Sequence, residues 1–105
     1  GLVLAVEAAE GTDAMLERCA QLPAEIRGRA LARRGVLVKL PKPTQERRVD
    51  LPTIGLTTVE RAAAAGLAGI AVEAGATLII DEAAMIARAD ALGLFVTGVR
   101  AGAKP

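Results

Sequence analysis

The sequence predicts an α/β fold with a mostly parallel, mixed sheet of about five strands and three to four helices, arranged in two or three layers. Short aliphatic runs alternate along the chain with alanine-rich segments of helical composition. Several of those segments begin at threonine or aspartate and end at glycine, as helices do. The 105 residues are enough for a modest core, so residues 1–105 are interpreted as a single domain.

The first half of the chain is predicted to contain two strands and a helix. Residues 2–8 (LVLAVEA) have the composition of a buried strand. Thr12 is a good N-cap for a helix that ends near residue 22. Residues 24–34 carry four arginines and are expected to form an exposed helix or a mobile loop. The second strand is predicted at residues 36–40.

A second helix and a hairpin are predicted to follow. Thr57 is expected to cap the helix, with Glu60 in capping-box spacing, and Gly66 is expected to end it. Strands are predicted at residues 69–74 and 77–80. The tight turn between these two strands predicts that they pair as an antiparallel hairpin.

The last helix and the last strand complete the alternation. Asp81 is expected to cap a helix over residues 82–92, which Gly93 ends. Residues 94–99 (LFVTGV) are predicted as the final strand. The resulting order, β-α-β-loop-α-β-β-α-β, is typical of a largely parallel sheet with one antiparallel pairing.

Composition excludes several kinds of site. The chain has no histidine, which rules out Ser-His-Asp and Cys-His catalysis and any histidine-ligated metal. Its single cysteine, Cys19, rules out an internal disulfide and a thiolate zinc cluster. Cys19 is expected to be a small buried side chain in a protein of the reducing cytoplasm. Any chemistry must therefore use carboxylates, lysine, arginine, hydroxyls, backbone amides or a hard metal ion.

Charge and aromatic content argue against a nucleic-acid partner. Thirteen basic and twelve acidic residues leave a net charge of +1, which does not support a broad polyanion-binding surface. Phe95 is the only aromatic residue, so platforms for base stacking are not expected. No apolar run approaches the ~20 residues that span a bilayer. The chain begins at Gly1 rather than at methionine, which suggests a fragment or a processed chain.

Residues 35–55 (GVLVKLPKPTQERRVDLPTIG) form the strongest candidate site. An aliphatic strand ends in a lysine and opens into a segment stiffened by three prolines. This segment is dense in cations and has one carboxylate near its far end. It is suited to holding an anionic group beside a carboxylate. Its candidate residues are Lys39, Lys42, Gln45, Arg47, Arg48 and Asp50.

These residues have competing interpretations. Lys39 and Lys42 could bind a phosphate as point charges, and Arg47 or Arg48 could bind it through two nitrogens. The alternative is a solvated basic loop. Asp50 stands between two aliphatic residues and could bind Mg²⁺, orient an attacking water or pair with Arg48.

The turn Glu10-Gly11-Thr12-Asp13 is the second candidate. It could present backbone amides at a helix N-terminus to a phosphate, with Glu10 or Asp13 available to a metal ion. Gly11 would allow a ligand to approach the backbone closely. Simple capping of the helix is the alternative. If the two strands that precede these candidates are parallel, both candidates lie at the carboxyl edge of the sheet, where open α/β sheets bind ligands.

Four motifs occur in an order that resembles one family. The chain is similar to the C-terminal domain of the LpxI-type UDP-2,3-diacylglucosamine pyrophosphatases of Gram-negative lipid A biosynthesis. The resemblance covers residues 1 to about 99. Its motifs are EGTDAML at residues 10–16, VLVKLPKP at 36–43, RVDLPTIG at 48–55 and AGLAGIAVEAG at 65–75.

The resemblance implies an activity and a larger protein. It implies Mg²⁺-dependent hydrolysis of UDP-2,3-diacylglucosamine to UMP and 2,3-diacylglucosamine 1-phosphate (lipid X), with water attacking the α-phosphorus. Family members have an N-terminal domain as well, and they hold the acylated substrate between the two halves. The family's catalytic aspartate falls on Asp50. Thr44 departs from the pattern, because the family more often has glycine there.

Two other readings of the sequence remain open. In the first, the domain binds a nucleotide or phosphosugar without catalysing a reaction. In the second, it is an assembly domain whose arginines at residues 27–34 meet an acidic partner or a membrane surface. Loss of the Asp50 charge would disable an enzyme and leave an assembly domain unaffected.

Overall fold

The computed structural model describes residues 2–23, 25–41 and 51–100. Within these residues the chain forms three helices and five strands, which confirms the predicted α/β class. In chain order the elements are α1 (Thr12–Ala20), β1 (Val36–Lys39), β2 (Thr53–Ile54), α2 (Leu56–Ala64), β3 (Gly69–Glu73), β4 (Leu78–Ile79), α3 (Glu82–Leu92) and β5 (Phe95–Val99).

The strands form two small parallel sheets. The larger sheet has the order β1-β3-β5, and the smaller one pairs β2 with β4. In the larger sheet Leu37 of β1 is in register with Ile70 of β3, which is in register with Val96 of β5. Every pairing between the named strands is parallel, and α2 lies between the paired strands β1 and β3 in the chain as α3 lies between β3 and β5.

The predicted antiparallel hairpin is wrong. The amide of Leu78 donates to the carbonyl of Pro52 at 2.8 Å, and the amide of Ile80 donates to the carbonyl of Ile54 at 3.0 Å. The strand after the turn therefore pairs with β2 and not with β3. Two residues are too few to show a strand period in sequence, so β2 was missed and β4 was assigned to its neighbour in the chain.

The predicted first strand is also not formed. Residues 2–8 belong to no strand, and Leu2, Val3 and Val6 are each 74% exposed. Leu4 and Ala5 pack partly against the core. Aliphatic composition shows that a segment can be buried, but a strand also needs a partner at hydrogen-bonding distance.

Two helices begin one or two residues earlier than predicted. The N-cap of α1 is Gly11, with a φ of 90°, and Thr12 is already helical. The N-cap of α2 is Gly55, whose amide donates to the hydroxyl of Thr58 at 3.2 Å. Thr57 is therefore not the cap of α2. Glycine has no side-chain oxygen, so it lacks the sequence signature by which capping residues are predicted.

The third helix follows its prediction at both ends. The carboxylate of Asp81 accepts the amide of Ala84 at 3.5 Å, and Gly93 ends α3 in the left-handed conformation with a φ of 77°. Local capping chemistry determines these ends, and that chemistry is visible in the sequence.

The core is aliphatic, as composition requires, and lies between the helices and one face of the larger sheet. Cys19 is 5% exposed, which confirms that it is a buried side chain. The alanines at positions 62 and 65 are fully buried in helix packing. The largest fully buried side chains are Leu16, Ile54, Val59, Ile70 and Met85.

The described residues of the arginine-rich segment form no helix, so the predicted helix is wrong. These residues form turns, with a bridge between Arg29 and Ala32. The guanidinium of Arg33 donates to the carbonyls of Leu92 and Ala63, each at 3.0 Å. It thereby satisfies carbonyls at the C-terminal ends of α3 and α2. None of the helices in the described ranges is long and apolar enough to cross a membrane.

Candidate functional site

The carboxyl edge of the larger sheet gathers several of the predicted site elements. β1 ends there at Lys39, and β3 ends there at Glu73. Short connections join α2 to β3 and α3 to β5, so both helices run opposite to the strands. The N-termini of α2 and α3 therefore lie at this edge, which is where open α/β sheets place ligands.

Lys39 links β1 to the start of β2. Its Nζ donates to the carbonyl oxygen of Thr53 at 2.9 Å, and the residue is partly buried. An ammonium has three donors, so this hydrogen bond leaves capacity for an anionic ligand. The bond also brings the two ends of segment 40–52 together. Sequence reasoning identified Lys39 as a cation but had no means to find this bond across 14 residues.

The N-terminus of α2 follows directly from the RVDLPTIG motif. Gly55 provides no side-chain cap, and the first turn of the helix contains no acidic residue. The amide of Gly55 donates to Thr58, but the remaining amides at the start of a helix, together with the helix dipole, favour an anion. Thr53, which accepts the Lys39 bond, lies only three residues before Leu56 at the start of this helix. The prediction of Thr57 as cap concealed this feature, although the glycine before the helix was its signal.

The Glu10 carboxylate, just before α1, is paired with a cation of that helix. Arg18 donates from Nε to Oε2 of Glu10 at 3.0 Å and from Nη2 to Oε1. This hydrogen bonding, reinforced by the opposite charge of Glu10, raises the pKa of Arg18. Both carboxylate oxygens are thus engaged, and a metal ion at Glu10 would compete with a guanidinium.

The rest of the turn lies close to the start of the chain. The hydroxyl of Thr12 donates to Oε2 of Glu7 at 2.9 Å, and Asp13 is exposed in the first turn of α1. Glu7 was not predicted as a site residue. It lines the same groove as Lys39, between residues 2–7 and β1. The Glu7 carboxylate therefore links Thr12 to the groove that Lys39 lines.

A second concavity, of about 220 Å³, lies at the carboxyl ends of β3 and β5. Its polar lining includes Glu73, Thr77, Glu82 and Thr97. The hydroxyl of Thr77 donates to the backbone carbonyl of Glu73 at 3.0 Å. Thr77 and Glu82 were not singled out from the sequence, because no local motif joins residues from three separate elements.

The remaining predicted site residues lie outside the described residues. These are Lys42, Gln45, Arg47, Arg48 and Asp50, and Thr44 lies outside them as well. Among the residues that are described, no three histidine, cysteine, aspartate or glutamate side chains converge to hold a metal ion. Mg²⁺ needs only one or two carboxylates when a phosphate supplies further oxygens.

Comparison with known proteins gives one family. Residues 1–97 match the LpxI C-terminal domain. A Caulobacter vibrioides protein named UDP-2,3-diacylglucosamine pyrophosphatase LpxI is 67% identical over 105 residues, which are 100% of this chain and 38% of that protein. The chain thus spans about two fifths of the length of this relative. The chain belongs to the LpxI C-terminal domain family.

Proposed function

We propose that the longer protein carrying this chain hydrolyses the pyrophosphate of UDP-2,3-diacylglucosamine. The products are UMP and 2,3-diacylglucosamine 1-phosphate (lipid X), and water attacks the α-phosphorus. One observation carries the proposal: a protein named for this activity is 67% identical to the chain over all of its 105 residues. Identity of this extent along the whole chain argues that the two proteins have the same site on the same fold.

The carboxyl edge of the sheet supplies groups that suit a pyrophosphate. Lys39 places a positive charge at the end of β1, and the start of α2, where Gly55 supplies no side-chain cap, follows Thr53, to which Lys39 is bonded. A phosphate at this edge would meet an ammonium and backbone amides together. In this proposal these groups stabilise the negative charge of the substrate, while Lys42, Gln45 and Arg48 add polar contacts from the segment between β1 and β2.

Asp50 is the proposed catalytic residue. It stands two residues before Pro52, whose carbonyl accepts the amide of Leu78 and so holds the start of β2 in the smaller sheet. In this proposal the carboxylate orients the attacking water or holds Mg²⁺. When bound, Mg²⁺ would neutralise charge on the phosphate oxygens. Asp13 is the preferred second carboxylate, because Glu10 is paired with Arg18.

The decisive experiment measures UMP release by the complete protein, with Mg²⁺ and with a chelator present. We expect Asp50→Ala to lower turnover by at least about 100-fold, as expected for a group that acts on the reacting water. Asp90→Ala is the matched control, because Asp90 is an exposed aspartate on α3. Normal turnover in the Asp50 variant would refute its catalytic role.

The non-catalytic alternative gives a different result in the same preparation. A binding module would bind UDP-2,3-diacylglucosamine but release no UMP, either with Mg²⁺ or with a chelator present. Binding measured by calorimetry, beside the release assay, separates the two functions. The assembly-domain alternative is less well supported, because the guanidinium groups of Arg27 and Arg33 donate to the protein's own carbonyls.

A further inference from the structure

The larger sheet has one face that the described helices do not cover. Strand register places Val38, Ala71 and Thr97 on one side of the three strands, and places Leu37, Ile70 and Val96 on the other. Leu37 and Ile70 belong to the core that contains the buried side chains of all three helices. The opposite side is here called the open face, and its residues are Val36, Val38, Gly69, Ala71, Glu73, Phe95, Thr97 and Val99.

The open face is apolar and accessible. Val38 is 58% exposed, Val36 46%, Phe95 45% and Val99 37%. Its one charged residue is Glu73, at the carboxyl end of β3. Exposed side chains of this kind are unremarkable singly, but here they form a contiguous patch across three strands.

Phe95 confirms the direction of this face. A Cβ on Gly69 would collide with atoms of the Phe95 ring, so the ring lies directly over the glycine on the open side of β3. The only aromatic side chain of the chain therefore lies outside the helix-covered core. An aromatic ring is among the largest apolar surfaces a protein can bury, and this one is left half exposed.

A parallel sheet with one bare face is unusual. Parallel sheets occur almost only where both faces are covered, and their strands accordingly have continuous apolar sequences. β3 has such a sequence, GIAVE, and all of its residues but Glu73 are buried. The strands thus have the composition of a sheet with two covered faces, while the described helices cover one.

The apolar surface continues beyond the edge of the sheet. A groove of about 750 Å³ separates β1 from residues 2–7, and Val36 and Val38 line it. On its far side Leu2, Val3 and Val6 are each 74% exposed. Whatever covers the open face would therefore also reach the beginning of the described chain, where further polypeptide of the same protein would be held nearby by its covalent connection.

We propose that the open face is the docking surface for polypeptide of the same protein that lies outside these 105 residues. The relative in which this chain accounts for 38% of the length contains ample further polypeptide. The occupant presents an aliphatic surface to Val38 and Phe95, and it extends into the groove beside β1. Most of the open face lies away from the candidate site, although Lys39 lines the groove and Glu73 ends β3 on this face.

The test is photo-crosslinking in the complete purified protein. A photoreactive phenylalanine analogue replaces Val38 in one variant and Thr97 in a second, so that a folding defect in one variant leaves the other informative. The control position is Ala87, which is exposed on α3 in the helix layer. We expect Val38 and Thr97 to crosslink within one polypeptide to peptides outside these 105 residues, and the product to keep the mass of a monomer.

Accessibility provides an independent readout. We expect Val38→Cys and Thr97→Cys to react with a maleimide at least about tenfold more slowly than Ala87→Cys, at every protein concentration, as a stably covered surface requires. The complete protein without an added cysteine gives the background, and Cys19 is buried. Labelling as fast as at Ala87 would overturn the proposal. So would crosslinks to a second copy, or protection that is lost on dilution, since both identify a dimer interface.

Discussion

The ammonium of Lys39 donates a 2.9 Å hydrogen bond to the backbone carbonyl oxygen of Thr53. This bond joins the end of the larger sheet to the beginning of the smaller one and brings together the two ends of segment 40–52. Lys39 therefore has a structural partner as well as a charge suited to a phosphate. Under the proposed function, loss of the positive charge and loss of the hydrogen bond to Thr53 should affect the activity to different extents.

Replacing Lys39 tests both roles. We expect Lys39→Met to lower kcat/KM for UMP release by about 10- to 100-fold, because the charged hydrogen bond from the ammonium to the substrate phosphate is lost. Lys39→Arg should retain more activity, since it keeps a positive donor. Arg88→Met, at an exposed cation on α3, is the control. An unchanged kcat/KM in the Lys39→Met protein would show that Lys39 does not belong to the site.

Replacing Arg33 tests the packing of helix ends far from the carboxyl edge. Arg33→Met leaves the carbonyls of Leu92 and Ala63 without their guanidinium donor. We expect the free energy of unfolding to fall by about 1–3 kcal/mol, measured by urea denaturation. Arg29→Met, at an exposed arginine of the same segment, should change it little. Equal stability of the two variants would contradict this role of Arg33.

Replacing Glu10 tests whether it binds a metal ion. Both of its carboxylate oxygens accept hydrogen bonds from Arg18. We therefore expect Glu10→Gln to leave the Mg²⁺ concentration for half-maximal activity unchanged, while Asp13→Asn raises it. Magnesium titration of the activity measures both values. An increase for Glu10→Gln equal to that for Asp13→Asn would restore Glu10 as a ligand.

Replacing Gly69 tests the position of the Phe95 ring. A methyl group at position 69 would collide with that ring, so we expect Gly69→Ala to destabilise the protein by about 1–3 kcal/mol. In a Phe95→Ala background the same change should cost much less, because the obstacle is gone. A double-mutant cycle by denaturation measures this coupling. Additive effects would show that the ring does not lie over Gly69.

Part of the candidate site could be predicted from the sequence, because part of its signal is local. A lysine after an aliphatic strand and an aspartate in a proline-rich segment identified Lys39 and Asp50 as candidates, and the family resemblance strengthened Asp50. The bond to Thr53, the engagement of Glu10 by Arg18 and the role of Glu7 could not be predicted. Each depends on a side-chain contact that the chain makes only after folding.

The sequence by itself determined the α/β class, the aliphatic core and the limits of α3, because strand composition, capping aspartate and terminal glycine act over a few residues. Tertiary structure alone decided that β4 pairs with β2, that residues 2–8 form no strand, and that the sheet has an open face. Strand pairing is a choice among distant partners. Its outcome depends on which segments meet at hydrogen-bonding distance, and local composition does not encode that.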